Sequence, residues 1–179
     1  MHTRLRLAIL VVVAASAVHA AGQAAAPAEA NKPEFAITIS TPQSTVKSRS
    51  EVMVHVEVTN ISGSASKLVG ATPAVLGYAV DVRDSAGKPV PLTRRGTATV
   101  NQRFAAGDRD GRRFIGPGSV TDSLVRPGGV VKEELTVTDF FDLSRPGTYT
   151  IQVQRPDFRS QPPGDRMLKS NIITLTVTE

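Results

Sequence analysis

"DLSRPGTYTIQVQR", Asp142–Arg155, sets a Pro-Gly pair directly against a run of strict alternation. Pro146 fixes its own φ and Gly147 lacks a Cβ, so the chain can change direction there without steric strain. Beyond the turn, Tyr149, Ile151 and Val153 fall on one face, while Thr148, Thr150 and Gln152 fall on the other. A period of two is the pattern of a strand with one buried face, and the turn therefore starts a strand.

The same period recurs outward in both directions. Phe35, Ile37 and Ile39 share one parity, and ordered structure is expected to begin near Phe35. In "VMVHVEVT", Val52, Val54, Val56 and Val58 alternate with Met53, His55, Glu57 and Thr59, a valine-rich run that also disfavours helix. Tyr78, Val80 and Val82 repeat it, as do Ile173, Leu175 and Val177 in the last run. Val120 to Val125 and Val130 to Val137 read as two strands separated by "RPGG". Val90 to Leu92, flanked by Pro89 and Pro91, is expected as a short edge strand, where a missing N–H does no harm. Thr93 to Gly118 breaks the pattern and is read as a functional loop or as holding a short strand around Thr97 to Phe104.

Strands without a convincing helix imply an all-β domain, an immunoglobulin-like antiparallel β-sandwich of about seven to nine strands. It is expected to span residues 34–179. A tyrosine just past a corner, at the head of the penultimate strand, resembles the tyrosine corner of immunoglobulin-like sandwiches, where the hydroxyl bonds back to upstream backbone. Asp142, Pro146, Gly147 and Tyr149 are the expected structural corner.

The N-terminus reads as an export signal over residues 1–20. Arg4 and Arg6 make a basic start, Leu7 to Val18 an apolar core, and Val18-His19-Ala20 a small-residue cleavage site. Cleavage leaves a small, polar spacer over residues 21–33 and no transmembrane segment, because no remaining run approaches the roughly 20 apolar residues a span needs. The expected location is periplasmic or extracellular. With 21 Lys and Arg against 16 Asp and Glu, the net charge is +5, falling to about +3 once Arg4 and Arg6 are removed. That mild balance and the low aromatic content give no basis for nucleic-acid binding. Cysteine is absent, which excludes disulfides, thiolate zinc sites, a cysteine nucleophile and a lipid-anchored cysteine.

Several phrases together resemble the β-sandwich domain that precedes the catalytic domain in secreted deuterolysin-like zinc metalloendopeptidases. They are "VEVTN" (Val56–Asn60), "ATP" (Ala71–Pro73), "DSAGKPVPLTRRG" (Asp84–Gly96), "RPGG" (Arg126–Gly129) and "FDLSRPGTYT" (Phe141–Thr150). They are also similar to phrases of a proteinase-inhibitor-like β domain and of many bacterial immunoglobulin-like modules. Peptidases of this kind need two histidines four apart on a helix with a glutamate between them. His55 is the one histidine beyond the signal segment, and "HVEV" has the wrong spacing. The resemblance implies the accessory fold without the enzyme.

Four features were candidates for chemistry. His55 reads as a half-exposed residue on the outer face of a strand. "GDRDG", Gly107–Gly111, starts like a calcium loop but lacks the later ligands, so it reads as a charged turn. Asn60-Ile61-Ser62 matches a glycosylation sequon, though asparagine there also suits turn closure. Arg94, Arg95, Arg103, Arg109, Arg112 and Arg113 crowd one segment, with Asp108 and Asp110 among them. Guanidinium groups suit carboxylate or phosphate on a partner, while local pairing and solubility are the plainer explanation of the cluster. No catalytic, cofactor-binding or metal-binding residue is expected. The resulting expectation is an exported non-catalytic module that binds another exported protein or acts as an envelope spacer. The alternative is a peptidase inhibitor or regulatory partner of a secreted protease.

Overall fold

Wherever one parity of an alternating run can be buried, the chain forms a strand. The computed structural model describes residues 32–72, 77–105, 119–157 and 166–179. The signal segment, the spacer up to residue 31, "GDRDG" and Arg109, Arg112 and Arg113 lie outside the described residues. Nine strands are described: β1 (Phe35–Ser40), β2 (Thr45–Lys47), β3 (Met53–Asn60), β4 (Ser66–Thr72), β5 (Ala79–Asp84), β6 (Ser119–Val125), β7 (Val130–Thr136), β8 (Gly147–Asp157) and β9 (Arg166–Thr178). A single helix is described, α1 (Arg94–Ala105), with a short 3-10 turn at Val137–Asp139.

The strands form a three-stranded sheet, β1-β3-β7, and a four-stranded sheet, β2-β9-β8-β5. These orders correspond to the A-B-E and G-F-C sides of an immunoglobulin-like sandwich, with β8 in the position of strand F. Every described pairing is antiparallel except β2 with β9. The sheets share one hydrophobic core: Val54, Val56 and Val58 of β3 are fully buried in it, as are Ile151 and Val153 of β8 and Leu175 of β9. The all-β sandwich inferred from the period-two runs is the observed fold.

A bulge ties the two sheets together along one edge. Between Gln152 and Gln154 the partners on β9 step from Ile172 to Lys169, so β9 carries one extra residue. The buried parity of β9 switches there, from Leu168 and Ser170 on one side to Leu175 and Val177 on the other. Ser170 fills the gap by accepting the Val153 amide at 3.0 Å. Asn171 is turned outward to meet β1: its Oδ1 accepts the Ile39 amide at 2.8 Å and its Nδ2 donates to the Ile39 carbonyl at 3.0 Å. One side-chain amide thus supplies the donor and acceptor of a missing neighbouring strand. The chain then crosses over, and β2 continues beside β9.

β4 and β6 pair with each other and with no other described strand. They prolong the β3–β7 pair past a break at residues 61–65 and 126–129, so "RPGG" connects two sheets and does not close a hairpin between β6 and β7. Asn60 holds that break. Its Nδ2 donates to the carbonyls of Ser64 and Val125, both at 2.8 Å, and its Oδ1 accepts from the Ser62 amide and hydroxyl. Backbone bonds from Asn60 N to Gly129 O and from Gly128 N to Asn60 O complete it, with Gly128 at φ +70°, where a Cβ would be strained. The sequon asparagine is 1% exposed and structurally committed.

Two expectations are corrected. Val90 to Leu92 is not a strand: Val90 donates to Val82 O at 2.9 Å, but Pro89 and Leu92 make only isolated bridges, to Arg83 and Phe141. Prolines on both sides of Val90 remove the donors a ladder needs. The segment around Thr97 to Phe104 is neither strand nor loop but part of α1.

At the corner before β8, Tyr149 is 6% exposed and its hydroxyl donates to the Arg145 carbonyl at 2.7 Å. Asp142 is exposed, and its amide donates to Pro91 O at 2.9 Å. Pro146 lies exposed in the turn and Gly147 opens β8. Tyr149→Phe should remove the one bond the Arg145 carbonyl receives from this ring and lower stability by about 1–3 kcal/mol. Chemical denaturation measures this, and an unchanged midpoint would show that the ring contributes packing alone.

Candidate functional site

Thr93 joins the sandwich to α1. Its amide donates to Phe140 O at 3.0 Å and its hydroxyl to Asp139 O at 2.5 Å, while the same hydroxyl accepts the Gly96 amide at 3.0 Å. This is an N-cap serving the third residue of the helix. Gly96 presses so closely on the 3-10 turn that an added Cβ would lie 2.2 Å from the Phe140 carbonyl oxygen. Thr97 and Thr99 return their hydroxyls to the carbonyls of Thr93 and Arg95. The helix is therefore held by its docking, because glycine and β-branched residues in its first two turns are poor helix formers.

Two arginines occupy the first turn, which contains no acidic residue. Positive charge there opposes the helix dipole. Arg95 is offset by Asp139, with Nη1 2.8 Å from Oδ2, and its guanidinium lies 5.6 Å from the centre of the Phe140 ring. Arg94 is exposed, and no described carboxylate lies within ion-pair reach of it. Arg103 lies two turns along the same helix from Arg95. The structure thus places Arg94, Arg95 and Arg103 on one element, while the other three arginines of the cluster fall outside the described residues.

Beside the helix start, a groove of about 420 Å³ opens at this end of the sandwich. Arg49, Glu51, Thr93, Thr138, Asp139 and Asp142 are among its walls, brought together from the β2–β3 turn, the start of α1 and the corner before β8. Arg49 adopts φ +66°, a left-handed conformation uncommon outside glycine. Thr138 Oγ1 accepts the Val52 amide at 3.2 Å and fixes one wall to the core. Hydrogen bonds from Ser144, its side chain first and then its amide, hold the Asp142 carboxyl below the ordinary carboxylate value, with Arg145 adding a smaller pull. Loops gathered on a rigid scaffold are a common setting for recognition.

His55 is on the outer face of β3, its Nδ1 3.3 Å from Glu134 across the β3–β7 ladder, and it does not line the groove. Among the described residues, no three His, Cys, Asp or Glu side chains converge as metal ligands. The sequence reading found the arginines but missed the groove, whose mostly polar walls are scattered from Arg49 to Ser144. The one local signal for α1 was Thr93 as an N-cap, and Gly96 stands where a capping box would have a glutamate.

No family model matches the chain, and no curated protein matches it. Among solved structures, it is similar to the β-glucosidase EmGH1 from Erythrobacter marinus at 16% identity, over 82% of this chain and 16% of that chain, with a TM-score of 0.39. A β-glucosidase from Listeria innocua in complex with glucose is similar at 14% identity over 82% of this chain and 16% of that one, TM-score 0.40. The C-terminal domain of Wzt is similar at 11% identity over 83% of this chain and 75% of that chain, TM-score 0.40. The chain spans 16% of the length of the two glucosidases. Likeness of this degree carries neither activity nor ligand to this protein.

Two measurements check the site geometry. In an unconstrained helix Gly→Ala is stabilising by about 0.5–1 kcal/mol, but Gly96→Ala should lose about 1–3 kcal/mol because the methyl collides with Phe140 backbone. A gain in the denaturation midpoint would show that α1 is not docked there. Because the folded Asp142 value lies below 3.8, its stabilisation is present above that pH and lost as pH falls through the depressed value. Asp142→Asn should therefore flatten the acid limb of the stability–pH curve below about pH 4. An unaltered acid limb would separate Asp142 from the corner's stability.

Proposed function

We propose that this protein is an exported, non-catalytic binding module that grips an acidic segment of another exported protein with the α1 end of its sandwich. The observation that carries the reading is Arg94, exposed in the first turn of α1 and unmatched by any described carboxylate. Charge placed against the local helix dipole without a carboxylate partner among the described residues is unfavourable for the free protein and favourable once an anionic group arrives. Arg95, already oriented by Asp139 and Phe140, adds a second guanidinium beside it. The neighbouring groove offers polar walls for the residues that flank such an acidic group.

Export rests on the basic and apolar N-terminal run with its small-residue cleavage site. N-terminal sequencing of the protein recovered from the cell envelope or medium should start near Ala21, and a cytoplasmic product starting at Met1 would remove this part of the reading. The second reading, an inhibitor or regulatory partner of a secreted protease, draws on the phrases shared with the accessory domain of deuterolysin-like peptidases. Inhibition of a metalloendopeptidase by the purified protein would favour it over the first.

The binding surface is testable with a polyglutamate peptide as the probe. Wild-type protein should bind it in a salt-sensitive manner, with amide shifts concentrated at residues 94–97. Arg94→Glu should abolish the shifts while leaving the melting temperature nearly unchanged, since exposed charges contribute only about 0–1 kcal/mol. Shifts spread evenly over all basic residues, or retained by Arg94→Glu, would contradict the assignment.

A further inference from the structure

The inner face of β8 is apolar from Tyr149 through Val153 and then becomes charged, with Arg155 and Asp157 each 4% exposed. Asp157 is paired with Arg166 across the β8–β9 hairpin. Arg155 has no such carboxylate partner among the described residues. Its Nη2 donates instead to the backbone carbonyl of Val69 in β4, and its guanidinium lies 5.4 Å from the centre of the Tyr78 ring. The Tyr78 hydroxyl in turn donates to Glu133 of β7. Burial, with Glu133 beside it, pushes that hydroxyl above its ordinary 10.0, so the phenol remains a donor at neutral pH.

These contacts lie along the seam between the β4–β6 ribbon and the sandwich. Among the described residues, the ribbon's buried apolar groups are Leu68 and Val125, whereas its outer surface carries Lys67 paired with Asp122 and a Leu124 that is 75% exposed. A cavity of about 20 Å³ is left in the seam, lined by Leu68, Val69, Arg155 and Asp157 among others. A two-stranded ribbon is at best marginally stable alone, so its order depends on this docking. Both of its connections to the β3–β7 pair break at the same level, at Asn60 and at Gly128–Gly129.

We infer that the β4–β6 ribbon is a hinged flap, pivoting at Asn60 and Gly128–Gly129 and latched shut by Arg155, which opens while the sandwich stays folded. Among the described residues, opening breaks the charge-assisted bond from Arg155 to Val69 and withdraws Leu68 and Val125, yet leaves the β3–β8 core and the Asn171 clamp intact. The open state exposes the Arg155 guanidinium and one edge of β4.

Native-state hydrogen exchange on the full chain in low urea tests this. In the wild type, amides of Ser66–Thr72 and Ser119–Val125 should exchange at least about tenfold faster than those of Val54–Val58 and Ile151–Val153, with little dependence on urea, as sub-global opening requires. Arg155→Met, which keeps the volume and removes the latch, should raise exchange in the two flap strands by about tenfold more and leave the core strands unchanged. Flap amides protected as well as the core, or exchanging with the urea dependence of global unfolding, would overturn the flap. If Arg155→Met does not fold, the wild-type profile alone decides.

Discussion

Everything in this fold depends on the contact between the inner faces of β3 and β8. There is no cysteine and so no disulfide to join the sheets. The join is made by Val54, Val56 and Val58 packing into one cluster with Ile151 and Val153. Burying such side chains contributes about 1.5–3 kcal/mol each, and a one-residue slip of either strand would turn the whole set toward water. Register is therefore set by burial, and the turns, the bulge and the corner serve it. The Tyr149 hydroxyl fastens the start of β8 to the loop before it, and the extra residue in β9 lets Asn171 close the β1 edge.

The sandwich was legible wherever burial and alternation coincide. β1, β3 and β8 read cleanly because their inward residues, up to Val58 in β3 and Val153 in β8, are apolar and the outward ones tolerate water. β4 was hidden because Ser66 and Leu68 are its buried residues among those described, and a serine in a buried position blurs the pattern; its hydroxyl lies 3.2 Å from that of Ser62. β2 buries only Val46 in three residues, too short for a period to show. The bulge in β9 reverses the parity of one strand midway, so its first half did not appear to continue its second.

The helix failed to read for a different reason. Gly96, Thr97, Thr99 and Val100 weaken the helix propensity of the first two turns, and the interactions that hold the helix there come from Asp139 and Phe140, far along the chain. The candidate site inherits this: a crowd of arginines was visible, but the pairing of Arg95, and not of Arg94, among the described residues depends on a carboxylate 44 residues away. The charged end of β8 also gave no local warning. Arg155 continues the inward parity of Val153, and only the tertiary position of Val69 and Tyr78 explains how a guanidinium can be buried there.

The two unusual regions lie outside the β3–β8 contact, where binding and movement can be accommodated without loss of the core. Its role is tested most directly by chemical denaturation of Val56→Ala beside His55→Ala, neighbours on opposite faces of β3. Losing two methyl groups from a fully buried site should cost Val56→Ala about 2–3 kcal/mol, whereas the outward His55→Ala should stay within about 0.5–1 kcal/mol of the wild type. Equal losses from the two substitutions, or a larger loss from His55→Ala, would contradict a sandwich held together by that face.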